Sequence, residues 1–80
     1  MNIPQWLRGM YRKGKAEGRW SSVEDMAREK GFHTATMNRW MTGARNPEPI
    51  YCALLARAFD IPVQEVLQMA GHEDMFALFT

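Results

Sequence analysis

Between Gly31 and Gly43 lie Thr34, Ala35, Asn38, Arg39 and Thr42, small, hydrogen-bonding or cationic side chains with no acid among them. At helical spacing they share one side of a segment whose other side carries Met37, Trp40 and Met41. The chemistry open to such a set is recognition. A guanidinium such as that of Arg39 can donate two parallel hydrogen bonds to guanine O6 and N7, worth about 1–3 kcal/mol of discrimination, and the methyl groups of Thr34 and Ala35 can touch those of thymine. Bond-making chemistry has no comparable set. No nucleophile is placed beside a base, no glycine-rich phosphate loop occurs, and no metal-ligand cluster is spelled out. Cys52 is the only cysteine, which excludes an intramolecular disulfide and a thiolate zinc site, and His33 and His72 lack companions at ligand spacing. The expectation is a binding protein, not an enzyme, with no metal and no cofactor.

The elements that must position these residues read as helices. Ile3, Trp6, Leu7, Met10 and Tyr11 fall on one stripe of a first helix starting near Pro4, weakened by Gly9 and Gly14, so that Lys13 to Arg19 reads as a fraying end and a basic loop. Ser21 with Glu24, or Ser22 with Asp25, offers the cap of a second helix, whose inner face runs through Val23, Met26, Ala27 and Lys30 until Gly31 turns the chain. The third helix is expected from Thr34 to Thr42, stopped by Gly43. Pro47 and Pro49 make the following stretch extended, then Ile50 to Phe59 and Pro62 to Met69 form the last two helices. No segment alternates as a strand does. The organisation expected is one domain over residues 1–70 and an apolar tail over 71–80.

With 46% hydrophobic residues the chain can build one modest core, and no apolar run approaches the ~20 residues of a membrane span. Residues 1–10 lack the pattern of a secretory signal, and the expectation is a cytoplasmic protein with no membrane partner. The net charge of +1 hides an asymmetry: residues 1–46 carry nine Lys/Arg against four acids, whereas residues 47–80 carry one against five. One half is suited to phosphates and the other is free for a different surface.

A short second helix joined by Gly31-Phe32-His33 to a third of similar length is the form in which one helix lies in the major groove while its partner braces it. Met26-Ala27 followed by Gly31, then Thr36-Met37-Asn38-Arg39-Trp40, Gly43-Ala44-Arg45-Asn46-Pro47, and the run Leu55-Ala56-Arg57-Ala58-Phe59-Asp60-Ile61-Pro62-Val63-Gln64-Glu65-Val66-Leu67 stand in register. On these residues, from Ser22 to Leu67, the chain resembles the Cro and phage-repressor family of helix-turn-helix proteins, also called the xenobiotic response element family. The resemblance implies an all-α fold, a compact five-helix bundle of the lambda-repressor-like DNA-binding kind, and a transcriptional regulator, most simply a repressor that reads double-stranded DNA. It implies that Thr34, Ala35 and Arg39, with Asn38 beside them, face bases, and that Ser22, His33, Thr36, Thr42, Arg45 and Asn46 face phosphates. It also implies a pseudo-palindromic operator and hence a homodimer.

The fourth helix adds a second theme. Cys52, Leu55, Ala56 and Phe59 supply a core face, yet Ile50, Tyr51, Ala53, Leu54 and Ala58 stay apolar on the other side, and a helix apolar nearly all round needs two buried faces. The second face is expected to meet either the tail, through Met75, Phe76, Leu78 and Phe79, or a second protomer; Tyr51, Leu54, Ala58, Phe76 and Phe79 are the interface candidates. Two other readings stand beside the regulator: a DNA-binding antitoxin, and a protein-interaction module that binds a partner through the C-terminal half.

Overall fold

Residues 1–74 are described by the computed structural model as five α-helices, with no strand among the described residues: α1 Ile3–Ala16, α2 Val23–Lys30, α3 Thr34–Thr42, α4 Pro49–Phe59 and α5 Val63–Met69. α1 and α2 both pack on α3, α2 also meets α4, and α5 closes the core against α4. The expected tail contacts, including Phe76 and Phe79, lie outside the described residues.

α1 starts because Asn2 caps it. The Asn2 side chain accepts the Gln5 N–H at 2.9 Å and the Gln5 side chain accepts the Asn2 N–H at 3.1 Å, so two donors that the helix cannot satisfy internally are satisfied. The helix then continues past the point where the sequence predicts fraying, to Ala16. Gly14, expected to weaken it, is buried against the indole of Trp20, and a Cβ at that position would fall inside the ring. The glycine is there for its missing side chain, and the intrinsic cost of about 1 kcal/mol in a helix is offset by admitting the largest side chain in the loop.

Trp20 in turn is fixed from outside. Its indole N–H donates to Glu29 on α2, whose other carboxylate oxygen accepts from Arg19 Nε at 3.0 Å and from a second Arg19 nitrogen at 2.7 Å. Hydrogen bonds from Arg19, then from Trp20, hold the Glu29 carboxyl below the ordinary carboxylate range. α2 is capped by Ser22, which accepts the Asp25 N–H at 3.2 Å, while the Asp25 carboxylate reaches back to the backbone and hydroxyl of Ser21.

The core is a single cluster into which each helix sends side chains: Ile3 and Leu7 from α1, Met26 and Ala27 from α2, Met37, Trp40 and Met41 from α3, Cys52, Leu55 and Phe59 from α4, Val66 and Leu67 from α5. Trp6 meets Phe59 edge-on with ring centroids 5.2 Å apart, joining α1 to α4. Each large side chain fully removed from water contributes about 1.5–3 kcal/mol. Cys52 is buried as the sequence predicts, and that burial pushes its thiol up to about 11. Lys30 does not point into the core; its ammonium lies 4.9 Å from the Phe59 ring centre and 5.9 Å from that of Trp20, so that it roofs the aromatic cluster with its stem. No helix among the described residues is long and apolar enough to cross a membrane.

Two outcomes follow for stability. Gly14→Ala is expected to destabilise the fold by roughly 1–3 kcal/mol through overpacking, whereas Gly9→Ala, with nothing within 4 Å of the new Cβ, is expected to stabilise it by about 0.5–1 kcal/mol. Urea melts of the two variants check this, and equal effects would remove the close approach of Trp20 as the reason for Gly14. Because the folded Glu29 carboxyl titrates below its unfolded value of about 4.3, its contribution is present above that pH and is lost as the solution is acidified through the folded pKa. Melting temperatures of Glu29→Gln and wild type are therefore expected to differ at pH 7 and to converge as the solution is acidified through the folded pKa; a gap that widens on acidification would reverse the assignment.

Candidate nucleic-acid interface

α2 ends at Gly31, whose φ of 85° is the left-handed conformation that glycine adopts without a Cβ penalty. The turn is closed by two reversed hydrogen bonds, Gly31 N–H to Arg28 O at 3.2 Å and Phe32 N–H to Ala27 O at 2.8 Å, which satisfy carbonyls at the helix end. His33 then forms the extended entry to α3, and its own side chain makes no cap. Short as it is, α3 is held on its inner side. Met37, Trp40 and Met41 are buried, the Trp40 ring meets Phe32 edge-on at 5.2 Å and Tyr51 at 5.4 Å, and Arg8 of α1 donates to the Met41 carbonyl at 3.2 Å.

The outer side of α3 is what the sequence predicts. Ala35, Asn38, Arg39 and Thr42 are exposed and Thr34 and Thr36 are half-buried. Thr34, Asn38 and Arg39 make no side-chain hydrogen bond among the described residues, and neither Arg39 nor Arg45 has an ion pair there. Thr36, Arg39, Arg45 and Asn46 converge on one cleft of about 260 Å³ between α3 and the start of α4, completed by Trp40, Glu48 and Tyr51. Thr34, Ala35, Asn38 and His33 lie outside that cleft, and Ser22 belongs to the start of α2.

Several candidate side chains already have structural work. Ser22 caps α2, and the Thr42 hydroxyl donates to the Arg39 carbonyl at 3.3 Å and accepts the Ala44 N–H at 3.4 Å, closing the end of α3. Asn46 donates from Nδ2 to the Ala70 carbonyl at 2.8 Å. Next to it, His72 is half-buried with Nε2 3.0 Å from the Pro47 carbonyl. These two contacts tie the end of α5 to the segment between α3 and α4, and nothing local in the sequence announces them. Arg45, by contrast, is exposed and has no side-chain partner among the described residues. Sequence reasoning also missed Glu48 as a wall of the cleft and gave Tyr51 only an interface role; the two prolines around Glu48, which set the extended entry to α4, were the available signal.

Of the basic residues in the first helix and its loop, Arg19 is engaged with Glu29 and Arg8 with α3, while Arg12, Lys13 and Lys15 are exposed. On α4, Tyr51 and Leu54 are exposed and Ala58 is half-buried. The chain matches no protein-family model, no curated protein and no solved structure.

The division of labour inside the cleft has a measurable form. Asn46→Ala is expected to cost about 1–2 kcal/mol of stability, because it leaves the Ala70 carbonyl without its donor, whereas Arg45→Ala is expected to stay within about 0.5 kcal/mol of wild type. Chemical denaturation of both variants checks it; equal stabilities would free Asn46 from the structural role.

Proposed function

We propose that the protein binds double-stranded DNA in a sequence-specific way, with α3 in the major groove, and acts as a transcriptional regulator, in its simplest form a repressor. The observation that carries this reading is the two-sidedness of α3: a nine-residue helix anchored by Met37, Trp40 and Met41 presents outward a row of groove-sized, uncharged or cationic side chains without a single acid. A helix that short persists through tertiary packing, which its inner side supplies, and its outer side is left open to a ligand.

In this arrangement Arg39 is the principal base reader, through the paired acceptors of guanine. Asn38 has the amide that matches the donor and acceptor of adenine, and Thr34 and Ala35 offer methyl groups at the leading end of the helix. Arg45, His33 and Thr36 flank that row and supply phosphate contacts, which set register and affinity without reading sequence. The excess of basic residues over positions 1–46, against the acidic excess over 47–80, supports a polyanionic partner for the first half of the chain.

Selection of sites from a random duplex library, followed by titration of the winning site at several salt concentrations, tests this. A defined motif is expected. Arg39→Ala is expected to relax preference at one base pair, at a cost of roughly 1–3 kcal/mol, with the salt slope nearly unchanged. Arg45→Ala is expected to weaken binding to all sequences and to lower the salt slope by about 0.9. Absence of any motif, with affinity remaining near ~10⁻⁴ to 10⁻⁶ M at physiological salt, would overturn the proposal.

A further inference from the structure

The end of α2 and the C-terminal half of α4 form another cleft, of about 400 Å³, lined by Lys30, Gly31, Phe32, Leu54, Arg57 and Ala58. Its lining has two kinds of chemistry. Phe32 and Ala58 are half-buried and Leu54 is 43% exposed, so apolar surface lies open to water there. Arg57 is exposed, and neither it nor Lys30 has an ion pair among the described residues. Glu29, the neighbour of Lys30 in the chain, is spent on Arg19 and Trp20, and no acid lines the cleft. Gly31 adds no side chain to the opening.

Two unpaired cations beside open apolar surface, with no acid among them, are complementary to an anion that carries an apolar body. We infer that this cleft binds a small apolar carboxylate, an aryl or alkyl acid. Its carboxylate meets the Lys30 ammonium and the Arg57 guanidinium, whose paired N–H groups match two carboxylate oxygens, and its hydrocarbon body covers Phe32, Leu54 and Ala58. Lys30 is already oriented for this. Its ammonium is held 4.9 Å from the Phe59 ring centre and 5.9 Å from that of Trp20, so it loses little freedom on taking a ligand. The volume falls near the lower end of the ~300–1,000 Å³ of small-molecule sites, which suits a ligand of one or two rings.

The cleft between α3 and α4 also holds arginines and aromatic rings, but Glu48 in its wall opposes a second carboxylate. The site at Lys30 and Arg57 is separate from the outer row of α3 without being remote from it. Phe32 packs edge-on against Trp40 at 5.2 Å, so a ligand on Phe32 touches the side chain that braces α3. Because Leu54 and Arg57 stand open to water, the ligand is covered on one side only and its Kd is on the order of 0.1–1 mM. Binding is measured without DNA, so its outcome and that of the DNA reading are independent.

Titration of the isotope-labelled full chain with naphthoate up to about 5 mM, followed by amide NMR, tests this. Saturable shifts are expected at the amides of Gly31, Phe32, Leu54 and Ala58. Naphthamide, the neutral analogue, is expected to bind at least roughly tenfold more weakly, and acetate, which lacks the apolar body, to show no saturation. Lys30→Gln and Arg57→Gln are each expected to raise the Kd roughly threefold to fivefold, and Arg57→Glu at least about tenfold, while Arg12→Gln leaves it unchanged. Arg57 is exposed, so its variants keep the test decisive even if Lys30→Gln unfolds the chain. Absence of saturable shifts, equal binding of naphthamide, an unchanged Kd in Arg57→Glu, or shifts centred on Arg39 and Arg45 would each overturn the proposal. So would occupation of the same amides by a peptide of residues 73–80, acidic and then apolar, with none by naphthoate, which would make the cleft a peptide site.

Discussion

Trp40 sits between Phe32 of the turn and Tyr51 of α4, with ring centroids 5.2 and 5.4 Å away, and the placement of α3 depends on that edge-on and tilted packing. α3 has nine residues and one polar side, too little to persist in water without partners. What holds it is packing from its inner side, by α1 and α2, together with closure of its C-terminal end by Arg8 of α1 and by its own Thr42. Arg8 covers the Met41 carbonyl, and Thr42 folds its hydroxyl over the last turn. Because all of this acts on the inner side and the C-terminal end, Thr34, Asn38 and Arg39 of the outer row are left without side-chain hydrogen bonds among the described residues.

The boundaries of α3 were legible because two local signals agree. Met37, Trp40 and Met41 repeat at helical spacing, and Gly31 and Gly43 stop the helices on either side. Cys52 and the core face of α4 were legible for the same reason, a stripe with one period. The length of α1 was not. Gly14 in isolation is a poor helix former, and only the tertiary position of Trp20, outside the helix, turns it into a packing requirement. Lys30 occupies an inward position by periodicity, yet a charged group is not placed in an apolar core without a partner, so it lies across Phe59 and Trp20 instead.

The candidate site divides in the same manner. Which residues lie on the outer row follows from periodicity, and the structure leaves Ala35, Asn38 and Arg39 exposed there. Which side chains are free is a different question, decided by contacts made far along the chain. Asn46 and His72 spend their polar atoms on the carbonyls of Ala70 and Pro47, and Ser22 and Thr42 spend theirs at helix ends. Short polar side chains beside a helix terminus are drawn into capping by proximity, whereas Arg39 and Arg45 project too far from the backbone to be captured that way. Arg39 and Arg45 are thus the candidate side chains left without a partner among the described residues.

The bonds from Asn46 to Ala70 and from His72 to Pro47 impose an order in time as well as in space. The segment carrying Arg45 receives its anchors from residues that leave the ribosome well after it. A nascent chain that has exposed only α1 to α3 still lacks the Tyr51 ring against Trp40, and the wall of the cleft beyond Gly43 is untethered. The surface is finished only when the last helix docks, so a chain interrupted during synthesis before Ala70 carries the outer row of α3 without the rigid loop beside it.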